Sequence, residues 1–170
     1  MAYRAGLGTG SSQGAILNAM VQEMARDERH ERFLLVRTGS LSCAVPASDV
    51  VRVVRQLRTY PVPGSRSRLL GLAQYGGDPM PVLDLHVLVE RGVSRARRHT
   101  TVILGRGGAR GQVVLGLAID DVLRVVDLPK RAAVNPPSGL VGESVEIEGE
   151  DVKVLNTQHL LVEARDDKGR

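Results

Sequence analysis

The sequence predicts an all-β chain built from two similar small barrels, preceded by one helix. Three observations carry this reading. Val and Leu dominate the apolar residues, 24 and 21 of them, against one Phe, three Tyr and no Trp. Val-rich, aromatic-poor cores favour short strands. Gly and Pro, 19 and 8 residues, punctuate the chain at short intervals, as turn-rich β proteins require. One strand-like run also occurs twice: Asp49–Val54 reads DVVRVV and Asp121–Val126 reads DVLRVV, alike at every position but the third.

The elements follow in order. Residues 1–13 are rich in Gly and Ser and read as a flexible segment,. Residues 14–30 read as a helix. Ile16, Leu17, Met20, Val21 and Met24 share one face and Gln22, Glu23, Arg26 and Asp27 the other, with Ser11 or Ser12 as cap,. This helix either packs on the second barrel or serves as a docking arm. From Phe33 the period shortens to that of strands. Strands are expected at Phe33–Arg37, Ser42–Val45, Val50–Arg55, Leu69–Ala73 and Met80–Val89, the last ending in a helical turn. Thr101–Leu104, Gln112–Ile119, Val122–Asp127 and Val152–Asn156 follow. A second match, Val82-Leu83-Asp84 with Val154-Leu155-Asn156, falls at the same offset that carries Asp49 onto Asp121. Two matches at one offset imply a pair of similar β units packed side by side, each too small to be comfortable alone.

Strand alternation places side chains. Val51 and Val53 share one face, and Val50, Arg52 and Val54 the other,. Arg is seldom buried, so Arg52 is expected to face out, with Val50 and Val54 beside it. Likewise Leu123 and Val125 are expected in the core, and Val122, Arg124 and Val126 outside. The alternative is that all these valines are core between the two barrels. An outward Val–Arg–Val face is covered by its twin or kept for a partner.

Composition narrows the function. A length of 170 residues, 42% hydrophobic and 25% charged, suits one ordered domain or two small ones fused,. The longest apolar run, Val113–Ile119, is too short to cross a membrane,, and no signal peptide is legible. A cytoplasmic protein without direct membrane insertion is expected. Residues 33–110 are net +8 and residues 111–170 net −4. The basic half suggests a nucleic-acid module, yet 2% aromatic content leaves little for bases to stack on,. No nucleic-acid partner is therefore expected.

The search for chemistry finds no constellation. His30, His86, His99 and His159 lack metal-ligand spacing, and Cys43 reads as a core residue,. The run Gly105–Gly111 lacks a P-loop ending and reads as a hairpin tip,. Asp120 and Asp121 are neighbours and point to opposite faces of a strand. Asp84 and Asn156 sit at equivalent places, as the two acids of an aspartic protease would, but only one is an acid,. Both read as residues that end a strand and cap the next turn. No catalysis, cofactor or metal is expected.

Several blocks resemble a CheW-like domain. They are Phe33–Val36, Cys43–Pro46, Asp49–Val54, Pro61–Gly64, Leu70-Gly71-Leu72 and Met80–Leu85, then Gly116–Val122, Pro136-Pro137, Gly139–Gly142 and Val154–Asn156. The resemblance covers about residues 31–163. It implies two five-stranded SH3-like barrels around a shared core. The chain then divides into residues 1–30 and a CheW-like domain at 31–165, with a first barrel at about 33–92 and a second at about 100–163. It further implies a non-catalytic chemotaxis adaptor that joins methyl-accepting chemoreceptor tips to a CheA-type histidine kinase, and touches other CheW-like domains. Two positions depart from the family pattern. Arg52 stands where an acid is usual, and Gly76 where an arginine is usual. The resemblance carries a partner surface onto Val50, Gly71, Gln74, Tyr75, Gly77 and Val82. Arg52 and Gly76 join it as the positions where that surface differs, and Val54 joins it through the outward Val–Arg–Val face. A divergent accessory adaptor, binding receptor or another partner without ordinary kinase coupling, is the alternative.

Overall fold

Runs of Val, Ile and Leu cut by Gly and Pro become ten strands among the described residues of the computed structural model, which are 30–65, 68–90, 100–106, 113–130 and 139–166. The helix expected at 14–30 falls outside them, apart from His30, which opens the first strand. The strands are β1 (His30–Thr38), β2 (Leu41–Pro46), β3 (Val50–Arg55), β4 (Leu69–Tyr75) and β5 (Asp78–Asp84). After helix α1 (Leu85–Glu90) come β6 (Thr100–Arg106), β7 (Val113–Ile119), β8 (Asp121–Pro129), β9 (Val141–Ile147) and β10 (Glu150–Leu155). Helix α2 (Thr157–Asp166) follows. Strand β9 is absent from the expected elements: its sequence VGESVEI has weak alternation. The repeat finds it, because the offset from Asp49 to Asp121 carries β4 onto Val141–Ile147.

Sheet membership crosses the halves of the chain. One sheet runs β8-β1-β2-β10-β9 and the other β3-β6-β7-β5-β4. Each takes two strands from one half and three from the other. The division into a first barrel at 33–92 and a second at 100–163 therefore does not describe the sheets. The physical reason lies in strand edges. A lone hairpin is marginal and leaves both edges unpaired. Here β1 pairs antiparallel with β8 and β2 parallel with β10, so the other half covers both edges. The hairpin β6–β7 is covered in the same way by β3 and β5. The registers also repeat. Val154 lies opposite Ala44 and Val82 opposite Gly116, and the repeat offset relates Val82 to Val154 and Ala44 to Gly116.

Neither sheet closes through a continuous ladder among the described residues. In the second sheet a single bridge, Tyr60 to Leu72, joins the chain leaving β3 to β4, with both backbone hydrogen bonds at 2.8 Å. The structure thus shows two curled five-stranded sheets in place of the expected closed barrels.

Three apolar clusters hold them. A central cluster between the sheets contains Leu34, Val36, Val45, Leu104, Leu117 and Leu155. Phe33, Leu35, Ala44, Val152 and Val154 form the inner cluster of the first sheet. Ala73, Met80, Val82, Ile103 and Ala118 form that of the second. Alternate residues of β1, β2, β6 and β7 feed different clusters, so the middle strands are buried on both faces. That is why they read as unbroken apolar runs.

The alternation assigned to β3 and β8 is inverted in the structure. In the β3–β6 ladder the register steps from Val50–Leu104 to Arg52–Ile103, and in β8–β1 from Val122–Val36 to Arg124–Leu35. Val51 and Leu123 are the extra residues of two β-bulges. A bulge shifts every later side chain by one position. Val50 and Val122, before the bulges, therefore lie half-buried against the central cluster, and Val54 and Val126, after them, against the inner clusters of the two sheets. Val51, Val53, Leu123 and Val125, expected inside or between the barrels, are instead 40%, 40%, 38% and 57% exposed. Only the outward placing of Arg52 and Arg124 matches.

The helix caps agree with the sequence reading. The Asp84 carboxylate accepts from the backbone N–H of His86 at 2.9 Å and of Val87 at 3.4 Å. Asn156 Oδ1 accepts from the N–H of His159 at 3.3 Å. These satisfy donors that a helix start leaves unpaired. Thr157 donates its hydroxyl proton to the buried Asp49 carboxylate, tying α2 to the β2–β3 connection across the halves.

Candidate partner-binding rims

Each curled sheet has an open side where its edge strands approach. In the first sheet that side is a cleft of about 690 Å³. Leu35, Leu123 and Ile147 line it, with Arg37, Arg124 and Glu148 among the polar residues. Arg124 on β8 donates to both carboxylate oxygens of Glu148 in the β9–β10 turn, Nη1 to Oε1 at 3.1 Å and Nη2 to Oε2 at 2.7 Å. This forked geometry fixes orientation as well as charge. The hydrogen bond, then the opposite charge, raises the Arg124 pKa and lowers that of Glu148. Both groups are exposed, so the pair acts chiefly as a clasp between the two edges of the sheet.

The second sheet has the same construction with different side chains. Arg52 lies opposite Ile103, so it shares the face of that sheet's inner cluster and stands exposed at its margin,. Tyr75 packs on the same cluster and leads into the Gly76-Gly77 turn. The repeat offset carries Arg52 onto Arg124, Gly76 onto Glu148 and Gly77 onto Gly149. The backbones agree too. Gly76 has φ 61° and Gly77 94°, against 52° at Glu148 and 83° at Gly149. Positive φ at both centres of a two-residue hairpin turn suits Gly, which explains three of the four residues.

The nine residues expected at the partner surface divide by burial. Arg52, Gln74, Gly76 and Gly77 are exposed and Tyr75 is partly so. Val50 and Val54 are half-buried against the cores. Val82 is fully buried among Met80, Ile103 and Ala118. Gly71 is buried with φ 153°, and a Cβ there would run into the Tyr60 carbonyl oxygen. Val82 and Gly71 shape the sheet and do not lie on its surface. Sequence reasoning missed Glu148, Tyr60 and Leu72. Tyr60 and Leu72 are 55% and 36% exposed, and the Arg58 guanidinium lies 5.2 Å from the centre of the Tyr60 ring. The signal that could have found Glu148 is the repeat itself, extended to the partner of Gly76.

Among the described residues, reactive groups do not gather at either rim. Cys43 is buried in the central cluster, and burial pushes its thiol up to about 11, so it stays protonated at neutral pH,. Among the described residues no three His, Cys, Asp or Glu side chains could share a metal ion. His99 and most of the Gly105–Gly111 run lie outside the described residues.

Comparison with known proteins places these features. The family model for the CheW-like domain matches residues 32–165. Protein FrzA of Myxococcus xanthus is 30% identical over 150 residues, covering 83% of this chain and 91% of FrzA. The crystal structure of the scaffolding protein TtCheW from Thermoanaerobacter tengcongensis superposes with a TM-score of 0.61 at 16% identity. That match covers 74% of this chain and 88% of TtCheW, and it is a likeness of fold.

Proposed function

We propose, since this chain belongs to the CheW-like domain family of chemotaxis scaffolds, that it couples chemoreceptors to a CheA-type histidine kinase without catalysing a reaction. The carrying observation is the family match over residues 32–165, the span that holds both curled sheets. Two SH3-like units acting by contact suit outer strands that carry exposed Val51, Val53, Leu123 and Val125,. The receptor hairpin docks in a surface groove along the seam of the two β units, and the kinase's regulatory domain docks on a rim. No helix of the described residues is long and apolar enough to cross a membrane, and the protein acts in the cytoplasm. Arg52, Gln74, Tyr75, Gly76 and Gly77 form the kinase-facing surface.

A pull-down tests this with the cognate kinase's regulatory domain and the receptor's cytoplasmic hairpin as baits. Capture by both is expected, and a folded protein that meets neither refutes coupling. The departures at Arg52 and Gly76 favour a second reading, an accessory adaptor that holds receptor alone. In that case Arg52→Glu with Gly76→Arg strengthens kinase binding, and an unchanged affinity counts against it.

A further inference from the structure

The two rims repeat one backbone and differ in their charges. At the first sheet the Arg124 cation meets the Glu148 carboxylate inside the same chain. At the second, Arg52 keeps the cation, but Gly76 supplies no side chain. A Cβ at Gly76 would meet nothing within 4 Å. Asp78 holds the place of Glu150, yet Arg52 has no charge partner among the described residues.

The surroundings of Arg52 say what it is open to. Strand β3 and its extension carry exposed Arg52, Arg55 and Arg58 and no exposed acid. Exposed Val51, Val53, Tyr60 and Leu72 lie on β3, on β4 and at the bridge between them. The equivalent β8, with the residue after it, balances Arg124 and Lys130 with Asp121 and Asp127. A phosphate backbone would use the arginines and leave the apolar side chains wet. A protein that wraps the open edge at β3 uses both, its acid meeting Arg52 on the inner-cluster face and its apolar side chains meeting Val53 and Leu72 on the outer face, and such contacts with a charged rim are ordinary in protein interfaces.

We infer that the rim of the second sheet, centred on Arg52, receives a carboxylate presented by a partner protein, completing between two molecules the clasp that Arg124 and Glu148 make within one. This rests on the scaffold reading and adds the chemistry of the partner. The apolar contacts supply most of the affinity. The carboxylate sets orientation, partner choice and association rate.

The test supplies the missing acid in cis. Gly76→Glu places a carboxylate on a backbone of nearly the same φ as Glu148, so it should occupy Arg52 and exclude the partner's acid. The probe is the cognate kinase's regulatory domain, titrated by calorimetry. Gly76→Glu and Arg52→Glu are each expected to weaken binding about tenfold or more and to reduce its salt dependence. Gly76→Gln adds similar bulk without charge and is expected to weaken it at most about threefold. Circular dichroism melts check that each variant is folded, and Arg52→Gln replaces Arg52→Glu if that one is not. Equal losses for Gly76→Glu and Gly76→Gln overturn the inference while leaving the scaffold reading intact. Absence of wild-type binding to the kinase domain overturns the inference, and absence of binding to the receptor hairpin as well overturns both readings. Duplex DNA bound through Arg52, and released by Gly76→Glu, would show that the rim takes phosphate instead and overturn the carboxylate reading.

Discussion

The rims of the two sheets share a hairpin geometry and a bulged edge strand, yet one is clasped and the other open. Val51 and Leu123 are bulge residues at equivalent places, and Gly76-Gly77 and Glu148-Gly149 turn alike. Arg124 is held by Glu148, whereas Arg52 stands alone among the described residues. The difference teaches that duplication copied what the backbone needs and released what it does not. Core valines and turn conformations repeat. Rim charges, which add little to stability when exposed, were free to diverge and to serve partners. The same contrast runs through the equivalent acids Asp49 and Asp121. Asp49 is buried and receives the Thr157 hydroxyl, while Asp121 is exposed and accepts from the N–H of Val122.

The largest expected effect tests whether the shared core, and not the rims, sets the fold. Phe33 is fully buried in the inner cluster of the first sheet. Phe33→Ala should cost about 3–5 kcal/mol in urea unfolding through lost burial and a cavity. A cost under about 1 kcal/mol would mean the cluster is loosely packed. Next in size is the pair of acids. Asp49→Ala leaves a buried hydroxyl unsatisfied and should cost about 1–3 kcal/mol. Asp121→Ala, at an exposed site, should stay within about 0.5 kcal/mol. Equal costs would break the comparison.

The smallest effect belongs to the clasp, and pH reads it. Hydrogen bonding and charge from Arg124 hold the Glu148 carboxyl below its ordinary value in the folded chain. The pair therefore stabilises above the unfolded carboxylate pKa, and its contribution is lost as pH falls through the lower folded value. Wild type should melt slightly above Glu148→Gln at neutral pH, and the gap should close as pH drops below about 4. A gap that persists in strong acid, with the carboxyl protonated in both states, would trace to packing and not to the ion pair.

Much of this was legible in the chain. The unbroken apolar run Phe33–Val36 and the β-branched run Thr101–Leu104 announce strands, because a pleated surface buried on both faces selects such side chains. Asp84 and Asn156 announce caps, since a short polar side chain before a helix finds its N–H groups locally. The echo of Asp49–Val54 in Asp121–Val126 announces duplication. The faces of Val50–Val54 were not legible. Their bulge is chosen by the register with β6, a strand far down the chain, where Val50 meets Leu104 and Arg52 meets Ile103. Strand β9 hid because its edge position demands little hydrophobicity,.

The sequence by itself determined which segments extend, where they turn and that one unit occurs twice, because those choices depend on neighbours along the chain. Only the tertiary structure decided that the halves exchange strands, which valines face water and which arginine finds an acid. Those outcomes depend on cross-strand pairing between residues far apart, and no local pattern records which edge a strand will meet.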